Sequence, residues 1–276
     1  MGSWCARFFA NHYTVIITDK NTKAAEKFAK LHDLQFLSDQ TLAVHRAKVV
    51  IVATPTKVTG TILRQITPEL KRGTLVVEIS SIKAPVLSSI RSLRKAGIKV
   101  LSIHPMYGPG VRTLKGRSVL AVTVPKHPEV TKILSIFQND GARIVYCTPE
   151  KQDSLASIVL ALPHLMNVGF IETLRSLRVD LDEVNSVAGT TFKLQLLLAE
   201  EIYNEDYENE ISILRDSKMA VLKIFNQHTS TLVKLAAAHP KYLTRLLKSG
   251  RRLVETERSF STSYERFNAA IEASLS

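Results

Sequence analysis

A histidine that closes an apolar β-type run and precedes a rigid loop, Ile103-His104-Pro105-Met106-Tyr107-Gly108-Pro109, is a group able to take a proton near neutral pH. Hydride removal from an alcohol needs such a base for the hydroxyl proton. A lone histidine is more often structural than catalytic, but two other segments share its setting. Glu78-Ile79-Ser80-Ser81-Ile82-Lys83 also leaves an apolar run, with a hydroxyl and an ammonium on offer. Ala53-Thr54-Pro55-Thr56 leaves another, as a tight exit able to approach the nicotinamide half of a cofactor or simply to end a strand. Open α/β sheets carry their sites at the carboxyl ends of strands, where all three segments fall.

The beginning of the chain bears on the same chemistry. Dinucleotide-binding units open with a strand, a GxGxxG turn and a helix whose N-terminus takes the pyrophosphate. Here Met1-Gly2-Ser3-Trp4 runs directly into a helix-like stretch, Cys5 to Asn11, and the next strand, Thr14 to Thr18, ends at Asp19. Gly2 and Asp19 stand about as far apart as the last glycine and the ribose-binding acid of that fingerprint. Gly2 is therefore read as the final glycine, with the first strand and two earlier glycines missing. The expectation is that coding sequence lies upstream and Met1 is internal; the alternative is a protein that binds nucleotide poorly. Asp19 would accept hydrogen bonds from a ribose and repel a 2′-phosphate, favouring NAD over NADP, a preference that Lys20 softens; a plain helix-capping acid is the competing reading.

Short β-branched runs at Val49 to Ala53, Thr74 to Ile79, Lys99 to Ile103, Val119 to Val124 and Arg143 to Cys147 continue the strand series. Helical stretches lie between them, among them Thr22 to Leu31, capped by Asn21 or Thr22, and Ala84 to Ala96, ended by Gly97. Strands apolar on both faces, such as Val49-Val50-Ile51-Val52-Ala53, call for helices on both sides of the sheet. From Pro149 onward amphipathic helix takes over: Glu150 to Leu177, kinked at Pro163, then Thr191 to Tyr203, Glu208 to Ala238 and Pro240 to the end. The fold class is thus α/β, a Rossmann-like, doubly wound, mainly parallel sheet over residues 1–149, followed by an all-α domain over 150–276. That helical half is too thin to bury its own apolar faces, which predicts a homodimer.

With 276 residues, 45% of them hydrophobic, the chain has material for two modest cores. Its formal net charge of +12 suits an anionic small substrate; Lys and Arg are scattered, apart from a cluster at Lys248, Arg251 and Arg252, and form no aromatic-interleaved stripe, so no nucleic-acid partner is expected. Cys5 and Cys147 have neither metal-ligand nor disulfide spacing and read as buried thiols. No apolar run reads as reaching the ~20 residues of a membrane span and no signal peptide is evident, so the expected setting is cytoplasmic, without a membrane partner.

Ser80-Ser81-Ile82-Lys83 resembles the Gly-Ser-Val-Lys segment of prephenate dehydrogenases, and His104 to Pro109 their His-Pro-Met-x-Gly-Pro loop. Leu162-Pro163-His164 is similar to their Leu-Pro-His motif, Gly189-Thr190-Thr191-Phe192-Lys193 to a stretch of their helical domain, and Met1-Gly2-Ser3-Trp4 to the end of the glycine turn in archaeal-type members. The resemblance implies oxidation of prephenate to 4-hydroxyphenylpyruvate with loss of carbon dioxide and reduction of NAD. It further implies that His104 accepts the ring hydroxyl proton, Ser81 bonds that hydroxyl and orients His104, His164 binds a substrate carboxylate and Lys83 adds positive charge. Gly2, Asp19, Thr54 and Pro55 would face the cofactor.

One departure stands out. The family's substrate-binding arginine has no counterpart in Leu196-Leu197-Leu198-Ala199-Glu200-Glu201-Ile202-Tyr203-Asn204-Glu205-Asp206. Lys193 and Arg215 are substitutes, although lysine lacks the planar fork. Arogenate or another cyclic or hydroxy acid is therefore an alternative substrate, and a catalytically weak, dimeric binding or regulatory protein an alternative of another class.

Overall fold

The computed structural model describes residues 1–204, 207–236, 240–257 and 259–275. They form two compact units, Met1–Ala156 and Ser157–Ser276. The first opens with helix α1 (Gly2–Ala10) and alternates strands with helices: β1 (Ile16–Ile17), α2 (Thr22–Leu31), β2 (Gln35–Phe36), α3 (Gln40–Arg46), β3 (Val49–Val52), α4 (Thr56–Ile66), β4 (Leu75–Glu78), α5 (Leu87–Lys95), β5 (Lys99–Pro105), β6 (Ser118–Thr123), α6 (Pro128–Asn139), β7 (Arg143–Tyr146) and α7 (Pro149–Ala156).

Strands β3 to β7 make one five-stranded sheet in sequence order, parallel except where β5 meets β6. β1 pairs in parallel with β2 in a separate two-stranded sheet. β2, two residues long, carries too little alternation to be read in advance. Asn21 caps α2 by accepting from the Ala24 amide, as expected. The helix expected from Ala84 begins there as a 3-10 turn (Ala84–Val86), becomes α-helical at Leu87 and is ended by Gly97 with φ +81°.

Period-two alternation sorts the strand residues to two helical layers. Leu75, Val77, Leu101, Ile103, Val119 and Ala121 pack with Trp4, Cys5 and Phe9 of α1 and Ile133 and Phe137 of α6. On the opposite face Val76 and Val100 pack with Val44, Leu63, Ile90 and Leu93 of α3, α4 and α5. Each fully buried side chain of this size contributes about 1.5–3 kcal/mol. Glu78, Ser102 and His104 continue the even-numbered series and so leave the sheet toward the second layer, at the carboxyl ends of their strands.

The second unit is helical: α8 (Leu162–Ser176), α9 (Leu181–Val187), α10 (Thr190–Asn204), α11 (Tyr207–Asp216), α12 (Met219–Ala236), α13 (Pro240–Val254) and α14 (Ser263–Leu275). The long helix expected from Glu150 to Leu177 does run unbroken in helical form, but residues Ser157–Ala161 take a π-turn just before Pro163. Proline lacks the N–H and crowds the carbonyl four residues earlier, and a wider turn absorbs both effects. The helix expected from Glu208 to Ala238 instead breaks at Ser217-Lys218, where the Lys218 amide donates to Ser157 Oγ at 2.8 Å rather than continuing α11. Ala238, Glu205 and Asp206 lie outside the described residues. The last expected helix is likewise two, α13 and α14.

The helical run Pro149–Ser176 has 28 residues and is long and apolar enough to cross a bilayer. This corrects the reading that no run reaches that length. Asn167 of this run is nonetheless bonded within the protein: its Nδ2 donates to Leu198 O at 3.1 Å and Gln195 Nε2 donates to its Oδ1 at 2.6 Å. Ile158, Val159 and Met166 are exposed along it.

Candidate active site

Thr148 and Pro149 start α7 in a way the sequence dictates: Thr148 Oγ1 accepts from the Lys151 amide, and Pro149 occupies a first-turn position that needs no N–H. One turn on, Gln152 and Asp153 face the β4 exit. Asp153 Oδ1 accepts from the Lys83 amide at 2.7 Å and Oδ2 from the Ala84 amide at 2.9 Å, fixing the segment that carries Ser81. Gln152 Nε2 donates to the Ser81 carbonyl at 2.8 Å and lies 2.8 Å from His104 Nδ1.

Beneath this lies a buried ion pair. Lys83 Nζ donates to Glu78 Oε2 at 3.0 Å and to the Ile103 carbonyl at 2.7 Å, with neither side chain exposed. Glu78 also accepts from Ser102 Oγ at 2.7 Å and from the Ser80 amide. Burial pushes the Lys83 ammonium below the ordinary lysine range, while Glu78 pulls it back. Lys83 thus does not offer charge to a ligand, as the resemblance implied; it ties the β4 exit to the β5 exit from within. Ser81 is half-buried, and the hydrogen bond to His104 comes from Gln152 rather than from its hydroxyl.

His104 is 4% exposed. Burial, assisted by the nearby Lys83 charge, lowers its pKa to about 3, so the imidazole is neutral at physiological pH. Its effect on stability has a definite sign. Below about pH 6.5 the unfolded chain takes up a proton on this residue that the folded protein refuses until about pH 3, so stability falls on acidification across that window, by up to about 1.4 kcal/mol per pH unit. Urea unfolding of the protein and of His104→Asn between pH 7 and 4.5 should show the variant losing less stability per unit; parallel curves would contradict the assignment.

The remaining cofactor-side candidates cluster near the start of the chain. Gly2, in the first turn of α1, lies against Ala53 at the β3 exit, where an added Cβ would meet the Ala53 Cβ at 3.6 Å. No side chain caps α1, which leaves its first-turn amides available to an anion. Trp4 stacks edge-on against Tyr107 at 5.1 Å and donates from Nε1 to Val111 O at 3.1 Å, so the loop after His104 is anchored to this helix. Thr54 and Pro55 follow β3; Thr59 Oγ1, in the first turn of α4, donates to their carbonyls at 3.0 and 3.1 Å. Asp19, exposed after β1, accepts from the Asn21 amide at 2.8 Å, a turn contact that leaves its second oxygen for a ribose.

Residues 6–146 match the family model described as "Prephenate dehydrogenase, nucleotide-binding domain". The chain belongs to the prephenate dehydrogenase family. Among curated relatives of that family, the "Probable arogenate/prephenate dehydrogenase" of Methanocaldococcus jannaschii is 27% identical over 210 residues, covering 75% of this chain and 47% of the relative. The "T-protein" of Enterobacter agglomerans is 23% identical over 192 residues, covering 68% and 50%. The chain therefore spans about half the length of the curated relatives it matches. In fold it is similar to the A. aeolicus prephenate dehydrogenase crystallised with hydroxyphenyl propionate and NAD+ (TM-score 0.73, 17% identity, 93% of this chain and 95% of that one) and to the Synechocystis arogenate dehydrogenase (TM-score 0.66, 17% identity, 92% and 95%).

Three candidates sit in the helical unit of this family member. His164 Nδ1 pairs with the Glu210 carboxylate, and both are largely buried. Lys193 is exposed in the first turn of α10. Arg215, the other substitute for the absent arginine, makes a two-pronged pair with Asp216 at 2.7 and 2.8 Å, which neutralises its fork. Of the two thiols, Cys5 is buried, with its pKa raised to about 11, whereas Cys147 is only partly covered, against expectation. Sequence reasoning missed Gln152, Asp153 and Glu210: each sits inside a helix with no local mark of its partner.

Proposed function

We propose that this chain is a cytoplasmic NAD-dependent dehydrogenase that oxidises prephenate, or its amino counterpart arogenate, with loss of carbon dioxide. The observation that carries the reading is a buried, neutral imidazole, His104, at a strand exit whose loop is anchored to the uncapped helix bearing Gly2. The first turn of α1 would receive the pyrophosphate, Asp19 the adenosine ribose, and Thr54 and Pro55 the nicotinamide side; Asp19 favours NAD over NADP by repelling a 2′-phosphate. When bound, the dinucleotide supplies an acceptor for two electrons. His104 takes the proton of the ring hydroxyl as hydride leaves the same carbon, and Ser81 bonds that hydroxyl. Loss of carbon dioxide restores aromaticity, and the proton returns to the phenolic oxygen of the product. His164 and Lys193 receive the substrate carboxylates.

A homodimer goes with this reading. Ile158, Val159, Val187, Leu198 and Val233 are exposed in the helical unit, and a second copy of the chain would cover such apolar faces. Sedimentation that finds a stable monomer at micromolar concentration would count against it.

The contact of Glu210 with His164 favours a second reading, a dimeric binding or regulatory protein with weak catalysis, because a carboxylate there opposes an anionic substrate. Titration with NAD, followed by absorbance assay of cofactor reduction with prephenate and then arogenate, separates the two. Binding and reduction are expected. Binding without reduction by either acid supports the second reading, and no binding discards the first.

A further inference from the structure

To accept a proton at Nε2, a neutral imidazole must carry its own proton on Nδ1. The structure opposes that arrangement in the unliganded protein. The Ser81 carbonyl can only accept a hydrogen bond, so the carboxamide group of Gln152 that lies 2.8 Å from it must be the NH2. The same nitrogen lies 2.8 Å from His104 Nδ1, and an amide NH2 donates without accepting, so Nδ1 must supply a lone pair. The neutral ring then holds its proton on Nε2. Reversing the carboxamide would set Gln152 Oε1 against the Ser81 carbonyl, acceptor to acceptor. In the orientation found, Oε1 is buried with no hydrogen-bond partner, so Gln152 gives up one of its own bonds to keep the two that it donates.

We infer that Gln152 is a positioning residue that sets the tautomer of His104: its amide, oriented by the Ser81 carbonyl, keeps the imidazole proton on Nε2 until the amide turns over. This rests on the dehydrogenase reading for its catalytic meaning but not for its observation. With Nε2 protonated, His104 meets an incoming hydroxyl or carboxylate as a donor. It becomes an acceptor only when the proton moves from Nε2 to Nδ1 through solvent or substrate and the carboxamide rotates to offer Oε1 to the new Nδ1–H. Gln152 is thereby a gate between substrate holding and proton removal. Lys83 acts on His104 electrostatically, and Lys83, Glu78 and Asp153 are each engaged with other partners.

Nitrogen-15 NMR of histidine-labelled protein, without cofactor or substrate, reads the tautomer directly, with His104→Asn assigning the resonance. The expected result is a protonated Nε2 and an unprotonated Nδ1 in the wild-type protein at pH 7. Gln152→Glu, close in shape and able only to accept, should move the proton to Nδ1, and Gln152→Leu should leave a mixture. A wild-type ring protonated on Nδ1 overturns the inference whether or not the variants fold, and so does a Gln152→Glu ring unchanged from wild type. Should the tautomer be as stated while NAD is never reduced, the dehydrogenase reading falls and the role of Gln152 stands.

Discussion

On the proposed dehydrogenase reading, replacing His104 with asparagine is expected to slow hydride transfer from prephenate by about 100-fold or more, with NAD affinity unchanged. Asparagine keeps a polar group at the β5 exit but cannot take up a proton. The site is suited to show the full effect, because His104 is 4% exposed and water cannot readily stand in for the lost base. Single-turnover absorbance of reduced cofactor is the measurement, since it isolates chemistry from product release. An unchanged rate would remove His104 from the reaction. A matching fall in cofactor affinity would instead point to collapse of the loop that Tyr107 anchors on Trp4.

The second large effect is one of stability. Lys83→Met should lower the unfolding free energy by about 3–5 kcal/mol, because it strands the Glu78 carboxylate in a site with no solvent and leaves the Ile103 carbonyl without its donor. The double variant Glu78→Leu/Lys83→Met should recover most of that loss, since removing both charges also removes the cost of burying them. Urea denaturation of the three variants and the wild-type protein checks this. A loss under about 1 kcal/mol for Lys83→Met alone would mean that the pair is not held in the protein interior as described. On the proposed reading the pair also bears on catalysis: it holds the carboxyl ends of β4 and β5 together, so Ser81 and His104 should lose their mutual placement in the single variant before the domain unfolds.

Much of this architecture can be read from the residues directly. Val49 to Val52, Leu75 to Glu78 and Lys99 to Pro105 announce strands through short runs rich in Val, Leu and Ile, and their exits name Thr54, Ser81 and His104 as residues at the carboxyl edge. Asn21 and Gly97 mark helix ends because capping and positive φ are local requirements. The helical second half is less legible in its breaks. Nothing near Lys218 marks the end of α11, because its amide is drawn to the Ser157 hydroxyl, 61 residues earlier.

Alternation along β4 and β5, written in the chain itself, determined that Glu78, Ser102 and His104 leave the sheet on one side. Tertiary structure alone decided what they meet there. Gln152 reaches His104 across 48 residues and the Ser81 carbonyl across 71, and Lys83, which the family resemblance offers as a cation for substrate, is turned inward onto Glu78. Local sequence fixes backbone conformation and the direction of side chains through sterics and periodicity. Which polar groups satisfy one another out of water depends on the packing of distant segments, and here that packing set both the partners of the lysine and the proton of the histidine.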